Sequence, residues 1–130
     1  MEYLPQFTLH RPRTAEDAVR LKAADQTSRF LAGGTDMIVN VRRGIETPGT
    51  MIDLTAIENF VGISLEEKCL KIGAGTGLAA LADHPDIRRD YPAVAQAAAS
   101  VAGPTHRQYG TVGGNLCLDT RCLFYNQSQW

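Results

Sequence analysis

Along the chain, apolar and polar positions alternate with two different periods, and the switches between them mark the elements. Phe7-Thr-Leu9 alternates singly before His10-Arg-Pro-Arg13, which predicts a short edge strand closed by Pro12. Thr14-Ala-Glu-Asp17 reads as a helix start with an acid three residues after the hydroxyl. Ala15, Ala18, Val19 and Ala23 follow on one helical stripe that ends near Asp25. Ser28 to Ala32 is strand-like again. Met37, Ile38 and Val41 set the inner face of a short helix that starts near Thr35 or Asp36 and stops at Gly44. After the Pro48-Gly49 turn, Met51-Ile-Asp-Leu54 is a third strand.

Strand, helix, strand, helix, strand within the first 55 residues predicts a small parallel or mixed α/β unit. The pattern then changes. Val61-Gly-Ile-Ser-Leu65 and Cys69-Leu-Lys-Ile72 flank Glu66-Glu-Lys68 as a hairpin. From Leu78 to Ala82 and from Ala93 to Ala102 the alanine and leucine content predicts helices, with Pro85 and Pro92 as breaks. The fold class expected is therefore α+β (α/β), two small α/β subdomains covering residues 1–57 and 58–130, the second truncated at its C-terminal end.

Composition adds mainly exclusions. With 130 residues, 44% hydrophobic, 21% charged and a net charge of −1, the chain has the balance of a globular domain. It has no charge bias toward nucleic acid or an anionic membrane. No stretch approaches the roughly 18 apolar residues that span a bilayer, and no basic start leads into an apolar run, so a cytoplasmic location is expected. Three cysteines, Cys69, Cys117 and Cys122, do not form a secreted disulfide framework. Leu123-Phe-Tyr125 and Trp130 crowd aromatic residues into the last positions, which suggests that the parent chain continues or that a partner covers this end.

The chemistry gathers at glycines. Phe30-Leu-Ala-Gly-Gly-Thr-Asp-Met37 runs from a strand through two glycines into a hydroxyl, an acid and a helix, and Thr111-Val-Gly-Gly-Asn115 repeats the arrangement in the other half. Residues without Cβ let backbone amides turn outward together toward an anion, and a helix start adds its positive end. Two such cradles suit a diphosphate lying between the halves. A carboxylate beside a phosphate is repulsive, so Asp36 is expected to cap the helix or to reach a sugar hydroxyl.

Other features read structurally. Gly73-Ala-Gly-Thr-Gly77 follows a strand and precedes a helix, but Leu78 stands where a dinucleotide fingerprint needs its third glycine, so it is a tight connection and the fold is not of Rossmann type. Cys69, in a strand, is a small buried hydrophobe. Cys117 and Cys122 are ordinary thiols, or one is the first ligand of a set completed elsewhere. His10, His84 and His106 read as surface residues, and no nucleophilic or acid-pair arrangement is visible, so no catalytic residue is assigned.

Arg29-Phe-Leu-Ala-Gly-Gly-Thr-Asp36, Ile72-Gly-Ala-Gly-Thr76 and Gly110-Thr-Val-Gly-Gly-Asn-Leu116 occur in an order and spacing that resembles the medium, FAD-binding (β) subunit of the molybdenum hydroxylases, the xanthine oxidase family. The resemblance covers the whole chain. It implies a flavin between two α/β subdomains, with Leu31, Ala32, Gly33, Gly34, Thr35 and Asp36 on one side and Thr111, Gly113, Gly114 and Asn115 on the other. It also implies Val101 near the isoalloxazine or adenine. The text after the second glycine pair, Leu-Cys-Leu-Asp-Thr-Arg-Cys-Leu-Phe-Tyr-Asn-Gln-Ser, departs from most members and is similar to the 4-hydroxybenzoyl-CoA reductase branch, whose β subunit carries an extra [4Fe-4S] cluster. On that likeness Cys122 is the first cluster ligand, the other three lie beyond residue 130, and Asp119 stands in for a family acid.

The function so implied is that of an electron-transfer subunit of a molybdenum-flavin-iron-sulfur oxidoreductase. Electrons pass from the [4Fe-4S] cluster through FAD to partner subunits that reduce an aromatic acyl-CoA by removing its phenolic hydroxyl. The partners implied are a molybdenum-cofactor subunit and a [2Fe-2S] subunit in a heterotrimer that dimerises, with a ferredoxin-like electron donor. The alternatives are an FAD subunit of an aldehyde, CO or heterocycle oxidase without the extra cluster, a nonredox nucleotide-binding module, and a purely structural subunit.

Overall fold

In the computed structural model, which describes residues 4–67 and 69–119, the strand Thr50–Asp53 (β3) is the centre of a three-stranded parallel sheet. Thr8–His10 (β1) and Arg29–Leu31 (β2) lie on either side of it, with Leu9 and Arg29 both paired to Met51. Such a strand is covered on both faces, and Met51 and Ile52 are fully buried. The helix Ala15–Ala24 (α1) carries the chain from β1 to β2, and Met37–Arg42 (α2) carries it from β2 to β3. Thr14 caps α1 as its sequence predicts, its hydroxyl accepting the Asp17 amide at 3.1 Å. Ala18 then packs on Ile52 and Ile57, flanked by Leu21, Leu54 and Phe60.

The second half is a two-stranded antiparallel hairpin laid on helices. Ile63–Glu66 (β4) pairs with Cys69–Ile72 (β5), Ile63 opposite Ile72. Leu78–Asp83 (α3), Pro85–Asp90 (α4) and Pro92–Ser100 (α5) bring Leu78, Leu81, Ile87, Ala95 and Ala98 into one core, against which Ile63, Leu70 and Ile72 of the hairpin pack. Pro85 and Pro92 do break the helical run, and they also start the next helices, because proline at a first helical position loses no hydrogen bond. Pro104–Tyr109 (α6) begins the same way, and Val112–Leu116 (α7) is a last short helix.

Several expectations need correction. Cys69 is exposed: strand alternation turns Leu70 and Ile72 toward the helical core and Cys69 away from it. His10 and His106 are exposed, but His84 is half-buried between α3 and α4, and its Nδ1 is buried without a hydrogen-bond partner. The helix expected to reach Ala102 ends at Ser100, and Ala102 turns left-handed at φ 45°. Helix α6 had no signal because Pro-Thr-His-Arg-Gln-Tyr lacks an apolar stripe. Among the described residues no helix is long and apolar enough to cross a membrane.

Candidate functional site

The three parallel strands end on the same edge of their sheet, where open α/β folds place ligands. Arg11 follows β1, Ala32-Gly33-Gly34 follows β2, and the 3₁₀ turn Leu54–Ala56 follows β3. The first glycine turn needs both of its glycines. Gly34 has φ 75°, a left-handed conformation that strains other residues, and a Cβ on Gly33 would collide with the Tyr109 carbonyl. None of the backbone hydrogen bonds that stitch the described loops uses the N–H of Gly33, Gly34 or Thr35. This turn therefore retains donors of the kind an anion requires.

Asp36 sits at the start of α2 but does not cap it with its side chain. Instead its Oδ2 accepts from the Nδ2 of Asn40 at 3.0 Å, and Asn40 is only 6% exposed. Because α2 has six residues, its dipole adds little to the turn.

The second glycine stretch differs from the expected open cradle. Residues 112–116 are helical, and four consecutive amides are already spent. Val112 donates to Thr76 O at 2.9 Å, Gly113 to Ala74 O at 2.7 Å, Gly114 to Thr111 Oγ1 at 3.1 Å and Asn115 to Thr111 O at 2.9 Å. The acceptors Ala74 and Thr76 belong to the Gly73–Gly77 connection, which is the tight strand-to-helix link its sequence suggests. Leu78 N donates to Gly110 O at 2.9 Å, and Gly77 and Thr111 form a bridge, so the second turn is built onto the first turn of α3. The half-buried side chains of Thr111 and Asn115, not the glycine amides, are the polar groups it retains.

A small cleft of about 70 Å³ lies between the halves, lined by Ala32, Leu54, Thr55, Phe60, Val61, Gly75 and Thr111. That volume is well below ligand pockets of about 300–1,000 Å³, so the cleft holds at most a small portion of an extended ligand. Ala32 and Thr111, from the two expected sides, meet in it. Leu54, Thr55, Phe60 and Val61 carry no sequence signal, because the 3₁₀ turn and the crossing segment after it have no glycine pair or charge pattern, and Gly75 belongs to the connection whose sequence reads as structural.

Behind Thr55 stands a buried carboxylate. Asp53, at the end of β3, is 8% exposed; its Oδ1 accepts from Thr55 N at 2.9 Å and Thr55 Oγ1 at 2.7 Å, and its Oδ2 pairs with Arg11 Nε at 2.8 Å. Burial alone pushes the Asp53 carboxyl up, but the Thr55 hydrogen bonds and the Arg11 charge together outweigh it and hold the group below the ordinary carboxylate range.

The remaining expected residues sit apart from the cleft. Leu31 ends β2, and Val101 caps α5 with its side chain against the helical core, not among the cleft-lining residues. Gly113 packs on Ala74, and Gly114 is exposed. Asp119 is exposed at the end of the described residues, and Cys122 lies outside them. Among the described residues no three His, Cys, Asp or Glu side chains gather as a metal site.

Comparison with known proteins bears on the whole arrangement. Residues 5–122 match the family model described as the FAD binding domain in molybdopterin dehydrogenase. The chain is 35% identical over 109 residues to the xanthine dehydrogenase FAD-binding subunit of Escherichia coli O157:H7, covering 83% of the chain and 37% of that protein. It is 33% identical over 115 residues to the nicotinate dehydrogenase FAD-subunit of Eubacterium barkeri, covering 87% of the chain and 39% of that protein. Among solved structures, a chain of the carbon monoxide dehydrogenase of Hydrogenophaga pseudoflava superposes with a TM-score of 0.84 at 30% identity, over 88% of this chain and 40% of the other. The chain thus spans about two fifths of the length of the proteins it matches, and the likeness extends to their mixed α/β, non-Rossmann fold.

Proposed function

The chain belongs to the family of FAD binding domains in molybdopterin dehydrogenases, and we propose that it holds FAD as the electron-transfer part of a molybdenum hydroxylase-type oxidoreductase. The observation that carries this reading is the meeting of Ala32 and Thr111 in one cleft between the halves, Ala32 leading directly into a glycine turn with three amides unspent. Ala32, Gly33, Gly34 and Thr35 meet the pyrophosphate from the sheet side, and Thr111 and Asn115 meet it from the helical side. The apolar wall of Leu54, Phe60 and Val61 excludes water from a ring or sugar. Bound FAD supplies the redox chemistry, and this chain's part is binding and orientation. Residues 1–57 and 58–130 act as the two sides of the site.

The finer reading is a 4-hydroxybenzoyl-CoA reductase type of complex. There this subunit holds FAD between a [4Fe-4S] cluster, with Cys122 as one ligand, and the molybdenum-cofactor and [2Fe-2S] subunits of a heterotrimer. It rests on the departure of residues 116–128 from most of the family. The second reading, an FAD subunit of the xanthine, nicotinate or CO dehydrogenase kind with no cluster of its own, is favoured by the relatives above. Flavin absorbance and iron content of the purified subunit decide among these. A yellow protein with four irons per flavin, whose Cys122→Ser variant keeps flavin and loses iron, supports the first reading. Flavin without iron supports the second, and a colourless protein that takes up no FAD removes both.

A further inference from the structure

We infer that Thr55 contacts the ligand in the cleft as a hydrogen-bond acceptor that selects an N–H or O–H donor, with Asp53 and Arg11 as the residues that position it. The inference rests on the FAD reading above and adds a specificity element to it. Thr55 lines the cleft yet comes from neither glycine turn. Its hydroxyl proton is committed: Oγ1 donates to Asp53 Oδ1 at 2.7 Å, while the Thr55 amide donates to the same oxygen at 2.9 Å. Two donors on one carboxylate oxygen fix both the backbone and the rotamer of residue 55. Arg11 closes the arrangement, with Nε on Asp53 Oδ2 at 2.8 Å and Nη2 donating to Thr55 Oγ1 at 3.4 Å, a long bond that takes up one of the two lone pairs.

A threonine hydroxyl ordinarily adapts by rotating its proton toward whatever faces it. Here rotation would strip a buried carboxylate of a hydrogen bond, so with its proton on Asp53 and one lone pair facing Arg11, what Thr55 has left for the cleft is its second lone pair. An acceptor fixed in this way rewards a ligand donor and rejects a ligand acceptor, because a polar group left unpaired in a cleft walled by Leu54, Phe60 and Val61 is costly. On a flavin dinucleotide the donor is a hydroxyl or ring N–H of either the adenosine half or the ribityl-flavin half.

The test titrates the full chain with FAD, ADP and FMN in four forms: unaltered, Thr55→Val, Thr55→Ser and Asp53→Asn. Valine keeps the shape and removes the acceptor; serine keeps the hydroxyl. Thr55→Val is expected to weaken FAD binding about fivefold to tenfold, the equivalent of one net hydrogen bond, and to alter the fluorescence quenching of bound flavin. Thr55→Ser should stay within about twofold of the unaltered chain, since the bond it retains is the one whose loss costs the fivefold. An accompanying loss for ADP places the donor on the adenosine half, and one for FMN places it on the flavin half. Asp53→Asn should also weaken FAD binding, and its effect should shrink when Thr55 is already valine, because a positioning residue has nothing left to position. Thr55→Val binding FAD with unchanged affinity and quenching overturns the inference while leaving the FAD reading intact. An unaltered chain that binds none of the three ligands overturns both.

Discussion

The backbone of Gly33 lies so close to the carbonyl of Tyr109 that no side chain fits between them. The turn after β2 and the C-terminal end of α6 are thus in direct contact, and the two halves of the chain meet at the site itself. Gly33→Ala should therefore do more than strain a loop. It should separate the halves, lower the thermal midpoint by several degrees and abolish FAD uptake. Gly34→Ala, which needs φ 75° and brings its methyl to 3.3 Å from Ile38 Cγ1, should cost about 1–2 kcal/mol. Gly49→Ala, with nothing within 4 Å and an ordinary φ, should be neutral or slightly stabilising. Melting curves and flavin retention of the three variants check this order.

Asp53 makes stability depend on pH. Its folded carboxyl titrates below the ordinary value of 3.8. The unfolded chain therefore binds that proton first as pH falls, and the stabilisation is complete above that ordinary value and lost as pH drops through the lower folded value. Asp53→Asn should flatten the acid limb in urea unfolding between pH 6 and pH 3. At neutral pH, Asp53→Ala should cost about 1–3 kcal/mol, because it orphans the Thr55 amide and hydroxyl while the exposed Arg11 returns to water.

Thr76, 2% exposed, donates to Gly62 O at 3.1 Å and accepts from Gly62 N at 3.0 Å, while its own carbonyl receives Val112 N. Thr76→Val should destabilise by about 1–3 kcal/mol by leaving the Gly62 groups unpaired. Thr76→Ser should recover most of that loss, as measured by chemical denaturation.

Ala102 carries a left-handed backbone at φ 45° just after α5, and Arg107 Nη1 holds that bend by donating to Val101 O at 2.9 Å and Ala102 O at 2.6 Å. Ala102→Gly should stabilise by up to about 1 kcal/mol, since glycine occupies this region without strain. Arg107→Met should destabilise, and by less when residue 102 is already glycine. Thermal melts of the two single variants and the double variant test the coupling.

What could be read from the chain alone follows from where the signal was local. The α1 cap at Thr14, the buried β3 run and the glycines at 33 and 34 announce themselves through a few neighbouring residues. The missing parts depended on distant partners. Whether the amides of Val112 and Gly113 face solvent or find acceptors was decided by Thr76 and Ala74, nearly forty positions earlier, while those of Gly114 and Asn115 turn back onto Thr111. Nothing around Thr55 marks a binding wall until Asp53 and Arg11 close on it, and Cys69 reads as a core residue until the hairpin chooses which of its faces the helices cover.

The spent amides of the second turn and the unspent ones of the first divide the work of ligand capture unevenly. Residues 112–115 are already immobilised by the chain's own carbonyls and the Thr111 hydroxyl, so docking there carries no ordering penalty and leaves hydrogen exchange nearly as slow before capture as after it. Residues 33–35 must find their partners in the arriving molecule. Protection gained on binding should therefore concentrate at these three amides, and the free energy of association should reflect how tightly that single loop is frozen.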